Sequence, residues 1–186
     1  RKLRFQYPPS SLFAIAALLR LGGRENVRTS EFQVFETPSL NDIVGWAFIL
    51  IAAAASAVLL ELGLRRRQAM RGSRAMTAAR AAVVLGLTVT FYPVVKAYTL
   101  GQVQVWINGM FALALLCWAT DRKAASGLLI GLMCLIKPHY ALFVLWAALR
   151  REWRFAVACA ATVAAGAAAS IAVFGWTDNV DYLRVL

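Results

Sequence analysis

Met133-Cys134-Leu135-Ile136-Lys137-Pro138-His139-Tyr140-Ala141-Leu142 lies in the middle of the apolar run 126–149. The run is long enough to cross a bilayer, which takes roughly 20 apolar residues. Yet its centre holds a cation, a helix breaker and the single histidine of the chain. A charge at that depth costs roughly 2.5–3.5 kcal/mol on insertion scales, so it usually faces protein or water and marks a functional place. Proline removes a backbone donor at the same point and interrupts the helix. These residues predict two short helices, 126–136 and 140–149, joined at a polar break.

The rest of the sequence supplies the setting. Of 186 residues, 61% are hydrophobic and 16% charged. That balance excludes an ordinary soluble domain. The fold class is all-α: a polytopic transmembrane helical bundle, with 1–186 as one membrane domain. Spanning helices are expected over 43–62, 81–100, 103–119 and 155–174. A further short helix is expected over 11–21, after Tyr7-Pro8-Pro9. Asn41-Asp42 is placed to cap the helix that follows.

The net charge of +11 does not call for nucleic acid. Arg65, Arg66, Arg67, Arg71, Arg74 and Arg80 share one connection; Arg122 and Lys123 share a second; Arg150, Arg151 and Arg154 share a third. Basic clusters at helix ends follow the positive-inside rule and assign those ends to the cytoplasm. A single crossing by 126–149 would put Arg150 on the wrong side. A hairpin with both ends cytoplasmic removes the conflict, since broken helices are tolerated where they are buried or line a polar cavity. Tyr7, 96–102, 137–140 and 176–181 then all open toward the outer face. The localisation expected is a cell membrane, bacterial inner membrane by the Ala- and Arg-rich composition, with the active face extracytoplasmic. Arg1 is not an initiator methionine, and the chain reads as an internal piece of a longer protein.

Cys117, Cys134 and Cys159 lie in apolar segments without metal-ligand spacing and read as small hydrophobes. One histidine builds no multi-histidine metal site. Neither a metal nor a cofactor is expected.

Taken in order, Gly101-Gln102, the Gly127–Gly131 pair, Lys137-Pro138 and Arg150-Arg151-Glu152-Trp153-Arg154 resemble the membrane glycosyltransferases of family 87. Tyr7-Pro8-Pro9, Phe174-Gly175 and Asp181-Tyr182-Leu183 extend the resemblance over nearly the whole chain. The resemblance implies a GT-C architecture and mannosyl transfer from a polyprenyl-phosphate sugar to a glycolipid or glycan hydroxyl. Membrane lipid, donor and acceptor are therefore the expected partners. The resemblance also places the catalytic aspartate upstream of Arg1, so no catalytic residue is named here.

Lysine suits phosphate as a point charge, which makes Lys137 the leading contact for the donor phosphate; the plainer alternative is a lysine snorkelling to an interface. His139 either hydrogen-bonds substrate or stabilises the break. Gln102 binds a sugar hydroxyl or caps the helix after it. Lys96, Tyr98 and Tyr7 reach phosphate or headgroups, or anchor the interface. Asn108 is expected to bond another helix, and Gly127 with Gly131 to let two helices approach closely. Another function class stays open: a transporter or channel subunit with a midplane polar site. So does a non-catalytic protein on the same scaffold.

Overall fold

The computed structural model describes residues 38–66 and 73–185. All its elements there are helical: α1 Pro38–Arg66, α2 Arg74–Thr90, α3 Tyr92–Thr99, α4 Gln104–Ala119, α5 Lys123–Ile136, a 3-10 turn Pro138–Ala141, α6 Leu142–Leu149 and α7 Trp153–Val185. They divide into two compact units, Asn41–Ser126 and the residues from Gly127 onward. The short helix expected over 11–21 lies outside the described residues.

In the first unit α1 is a long apolar helix. Its stretch Asp42–Arg66 has 25 residues, about 37 Å at a rise of 1.5 Å per residue, ample for a hydrocarbon core of about 30 Å. Its first residues sit against Tyr98 and its last against Ala119, while Glu61 meets Arg80. Hence α2 runs back along α1, and α4 runs parallel to it. Ile49, Ala97 and Val105 form the buried centre, with Phe48, Val94, Tyr98 and Trp106 packed on it. Gly109 lets α4 press against α1, since a Cβ there would stand 2.7 Å from the Phe48 carbonyl oxygen. Ser126 is buried and donates to the Ala114 carbonyl at 2.8 Å.

The helix expected over 81–100 starts earlier and is bent. Ser73 caps it, its hydroxyl accepting from the Met76 amide at 3.3 Å. Phe91 is extended (φ −65°, ψ 111°) with Pro93 just beyond it, and α2 and α3 meet at 51°. The helix expected over 103–119 is α4, with 16 residues, about 24 Å long. Among the described residues two helices are long and apolar enough to cross a membrane, Asp42–Arg66 and Trp153–Thr177; the bent pair makes a third if it counts as one span.

The second unit is built on small residues. Gly127 abuts the Phe155 carbonyl, Gly131 abuts Thr162 and Cys159, and Leu135 fills the space left by Gly166. The paired positions rise together, so α5 and α7 are parallel and in close contact, as the Gly127–Gly131 spacing implied. The chain between Ile136 and Trp153 must therefore return along α7, and α6 is that return. The break at Lys137-Pro138 thus makes a helical hairpin. Further on, Gly175 (φ 82°, ψ 164°) interrupts α7, a conformation glycine adopts without a Cβ penalty. Asn179 bridges the kink, donating to the Gly175 carbonyl and accepting from the buried Ser170 hydroxyl, both at 2.8 Å.

Three helix ends share one cap. The amides of Gln102, Arg122 and Glu152 each reach back to the carbonyls of Ala97, Cys117 and Ala147. Gly101, Asp121 and Arg151 take positive φ just before them. This is the Schellman arrangement, which satisfies the last carbonyls of a helix within a tight turn.

Candidate functional site

At the hairpin the sequence dictates the local geometry. A residue before proline is pushed out of the α region, and Lys137 is extended at φ −134°, ψ 101°. Its amide still closes α5 on the Met133 carbonyl at 2.8 Å, and its own carbonyl accepts from the Tyr140 amide at 3.2 Å. Lys137 is half-buried and His139 exposed. So the cation and the imidazole stand on one five-residue break, at the far end of α5 from Gly127.

Below the break runs an aromatic ladder. His139 and Tyr140 rings lie 4.5 Å apart, Tyr140 stacks on Phe143 at 6.4 Å, and Phe143 meets Trp146 edge-on at 6.5 Å. The Arg150 guanidinium closes it, 5.4 Å from the Trp146 ring. Sequence reasoning passed over this ladder. Its signal was present in the spacing 140, 143, 146, 150, which is one face of a helix.

The first unit gathers a second polar group where α3 turns into α4. Lys96 and Gln102 are exposed there, and Gly101 at φ 59° makes the turn. The Asp42 carboxylate and the Trp46 indole lie near the Tyr98 side chain, and the Trp46 and Tyr98 rings are 5.6 Å apart. A Cβ on Gly45 would stand 3.1 Å from the Tyr98 ring, so that glycine lets the tyrosine lie on α1. Asp42 was expected to help cap a helix. Instead α1 begins at Pro38, and Asp42 already lies inside it. Asn108 does not reach another helix through its carbonyl oxygen; that atom accepts from Gln104, one turn earlier on α4, at 3.0 Å. Lys96, Tyr98 and Gln102 thus share one end of the first unit, and Lys137 and His139 share one break in the second. Tyr7 lies outside the described residues.

Among the described residues no three His, Cys, Asp or Glu side chains cluster as metal ligands would. A polar turn at 96–102 and a cationic break at 137–141 are the polar features of these otherwise apolar helices. The sequence model of glycosyltransferase family 87 matches residues 5–186. The chain belongs to glycosyltransferase family 87. Comparison with curated proteins and with solved structures returns no match.

Family membership makes this chain a membrane glycosyltransferase, with a sugar donor and an acceptor as its substrates. The match along nearly the whole length favours a glycosyltransferase over a transporter or channel subunit. In this family 87 protein the Gly127–Gly131 pair is an internal packing device, with both glycines against α7. Cys134 and Cys159 face each other across the same α5–α7 contact and are buried.

Proposed function

We propose that this family 87 glycosyltransferase transfers a hexose, mannose by the family resemblance, from a polyprenyl phosphate to the hydroxyl of an extracytoplasmic glycolipid or glycan, within a GT-C architecture. The observation that carries the reading is the Lys137–His139 break. It sets a cation and a hydrogen-bonding imidazole at the turn of an apolar hairpin, where a lipid phosphate needs both a charge and an apolar path for its chain.

In the transfer the acceptor oxygen bonds to the anomeric carbon while the bond from that carbon to the phosphate oxygen breaks. The phosphate leaves with the electron pair, and the hydroxyl proton passes to a general base. The base is the carboxylate that the resemblance places ahead of Arg1. Lys137 neutralises the charge gathering on the departing phosphate, which is worth most in a site of low dielectric. His139 donates a hydrogen bond to the same group. The aromatic face Tyr140, Phe143 and Trp146 gives the isoprenoid chain a wall to lie on. Gln102, Lys96 and Tyr98 hold sugar hydroxyls or phosphate oxygens, with the Tyr98 ring packed on Trp46. Tyr7 belongs to the same set.

The test uses the full-length protein in proteoliposomes with labelled polyprenyl-phosphate mannose and, separately, a labelled nucleotide sugar. Label should pass to an acceptor from the lipid-linked donor alone. Transfer from the nucleotide sugar, or none from the lipid-linked donor when an acceptor-bearing membrane extract is supplied, would overturn the reading.

A further inference from the structure

The other end of the first unit, away from Tyr98, collects cations from three helix ends around the end of a fourth. There α1 finishes in Arg65-Arg66, α2 opens with Arg74 and carries Arg80 nearly two turns on, α4 ends at Trp118-Ala119, and α5 opens at Lys123 behind Asp121-Arg122. Glu61 sits among some of them. Its carboxylate accepts from Arg65 and Arg80, each at 3.3 Å, and from the Thr77 hydroxyl at 3.5 Å.

Two other cations converge on the last turn of α4. The Arg66 guanidinium donates to the Ala119 carbonyl at 2.6 Å. The Lys123 ammonium lies 3.3 Å from the centre of the Trp118 ring. Both contacts are favourable for a cation, one at the negative end of a helix dipole and one over the face of an indole. They hold charges from α1 and α5 side by side, with exposed Arg122 next in sequence to Lys123. Asp121 is the carboxylate in that turn.

Along the helices from this cluster apolar side chains stand open: Leu60 on α1 is 41% exposed and Leu115, one turn before Ala119 on α4, 44%. A ligand that fits must therefore be anionic at one end and apolar along its length. We infer that the Arg66–Trp118–Lys123 corner binds the headgroup of an anionic phospholipid, its phosphate against Arg66 and Lys123 and its acyl chains along Leu60 and Leu115. This end is the one the sequence assigns to the cytoplasmic side, and it is remote from the Tyr98 end of the same unit. The inference is independent of the donor and acceptor chemistry. A zwitterionic lipid lacks the net charge to which each basic side chain near a membrane surface responds.

The experiment places the full-length protein in phosphatidylcholine nanodiscs carrying a fixed fraction of brominated phosphatidylglycerol or brominated phosphatidylcholine. Trp118 fluorescence is isolated by difference against Trp118→Phe. Brominated phosphatidylglycerol should quench more strongly at equal mole fraction. Arg66→Gln and Lys123→Gln should each lower that preference about fivefold, while Arg66→Lys and Lys123→Arg keep it, which separates lost charge from lost folding. Equal quenching by both lipids, or a preference unchanged in the Gln variants, would overturn the inference. So would displacement of the brominated lipid by saturating glycerol 3-phosphate, since a soluble anion would then own the site.

Discussion

The chain breaks at Phe91 and again at Lys137, and similar local chemistry bends it in one place and reverses it in the other. Each break has one extended residue followed by a helix with proline in its first two positions. At the first, proline is second: Tyr92 opens the helix although it precedes Pro93, and Phe91 is the extended residue. The outcome is a 51° bend. At the second, proline is first and forces Lys137 itself out of the α region. The 3-10 turn Pro138–Ala141 follows before α6 begins. The register of proline by one residue thus separates a kink from a hairpin. What each break packs against then fixes it. After Phe91, Ala97 and Tyr98 dock on α1. After Lys137, α6 returns along α7 while the glycines of α5 lock that helix to the other side.

The contrast can be broken in order of expected effect. Lys137→Ala should lower transfer from a lipid-linked donor roughly a hundredfold, the usual loss when one stabilising group is removed from a developing anion. Helix content by circular dichroism should not change. Gly131→Leu drives a side chain into Thr162, whose Cβ would stand 2.6 Å from the new Cβ. It should cost about 1–3 kcal/mol, the usual penalty for overpacking, read from thermal unfolding in detergent. Gly86→Leu is the matched control on α2: nothing lies within 4 Å of its Cβ, and its unfolding should stay within about 0.5 kcal/mol of wild type.

Pro138→Ala removes the constraint that holds Lys137 extended and should cut transfer about tenfold, a loss comparable to that of misplaced catalytic groups. Pro93→Ala should leave transfer within about twofold, because proline at the start of a helix gives up a donor that lacks a partner anyway. If the two alanine variants behaved alike, proline register would not be the cause of the difference. The smallest effect concerns Arg151, held at φ 59°. A left-handed conformation costs an L-residue roughly 1–2 kcal/mol, so Arg151→Gly should stabilise the α6–α7 turn by up to about that amount.

The all-helical fold and the hairpin were legible because they rest on local rules. A run of apolar residues must be helical in a bilayer, and Lys137-Pro138 must interrupt it. The Gly127–Gly131 spacing announced close packing for a reason that needs no tertiary knowledge. The bend at Phe91 was missed because Phe91-Tyr92-Pro93 carries no charge and apolar periodicity continues across it. Asp42 was misread because capping chemistry at Asn41-Asp42 suggested a helix start there, whereas the helix already begins at Pro38. The aromatic ladder was readable from its spacing, but in an apolar helix aromatic residues excite no suspicion. The membership in family 87 was visible in the order of its motifs, and the family match over residues 5–186 bears it out.

The central claim is that the Lys137 break holds a lipid phosphate, and direct binding tests it without depending on turnover. Polyprenyl phosphate titrated into the full-length protein in nanodiscs should bind wild type at least tenfold more tightly than Lys137→Gln, a difference of about 1.4 kcal/mol. The tail alone, as polyprenol, should bind both equally. Equal affinity of the two proteins for polyprenyl phosphate would contradict the account.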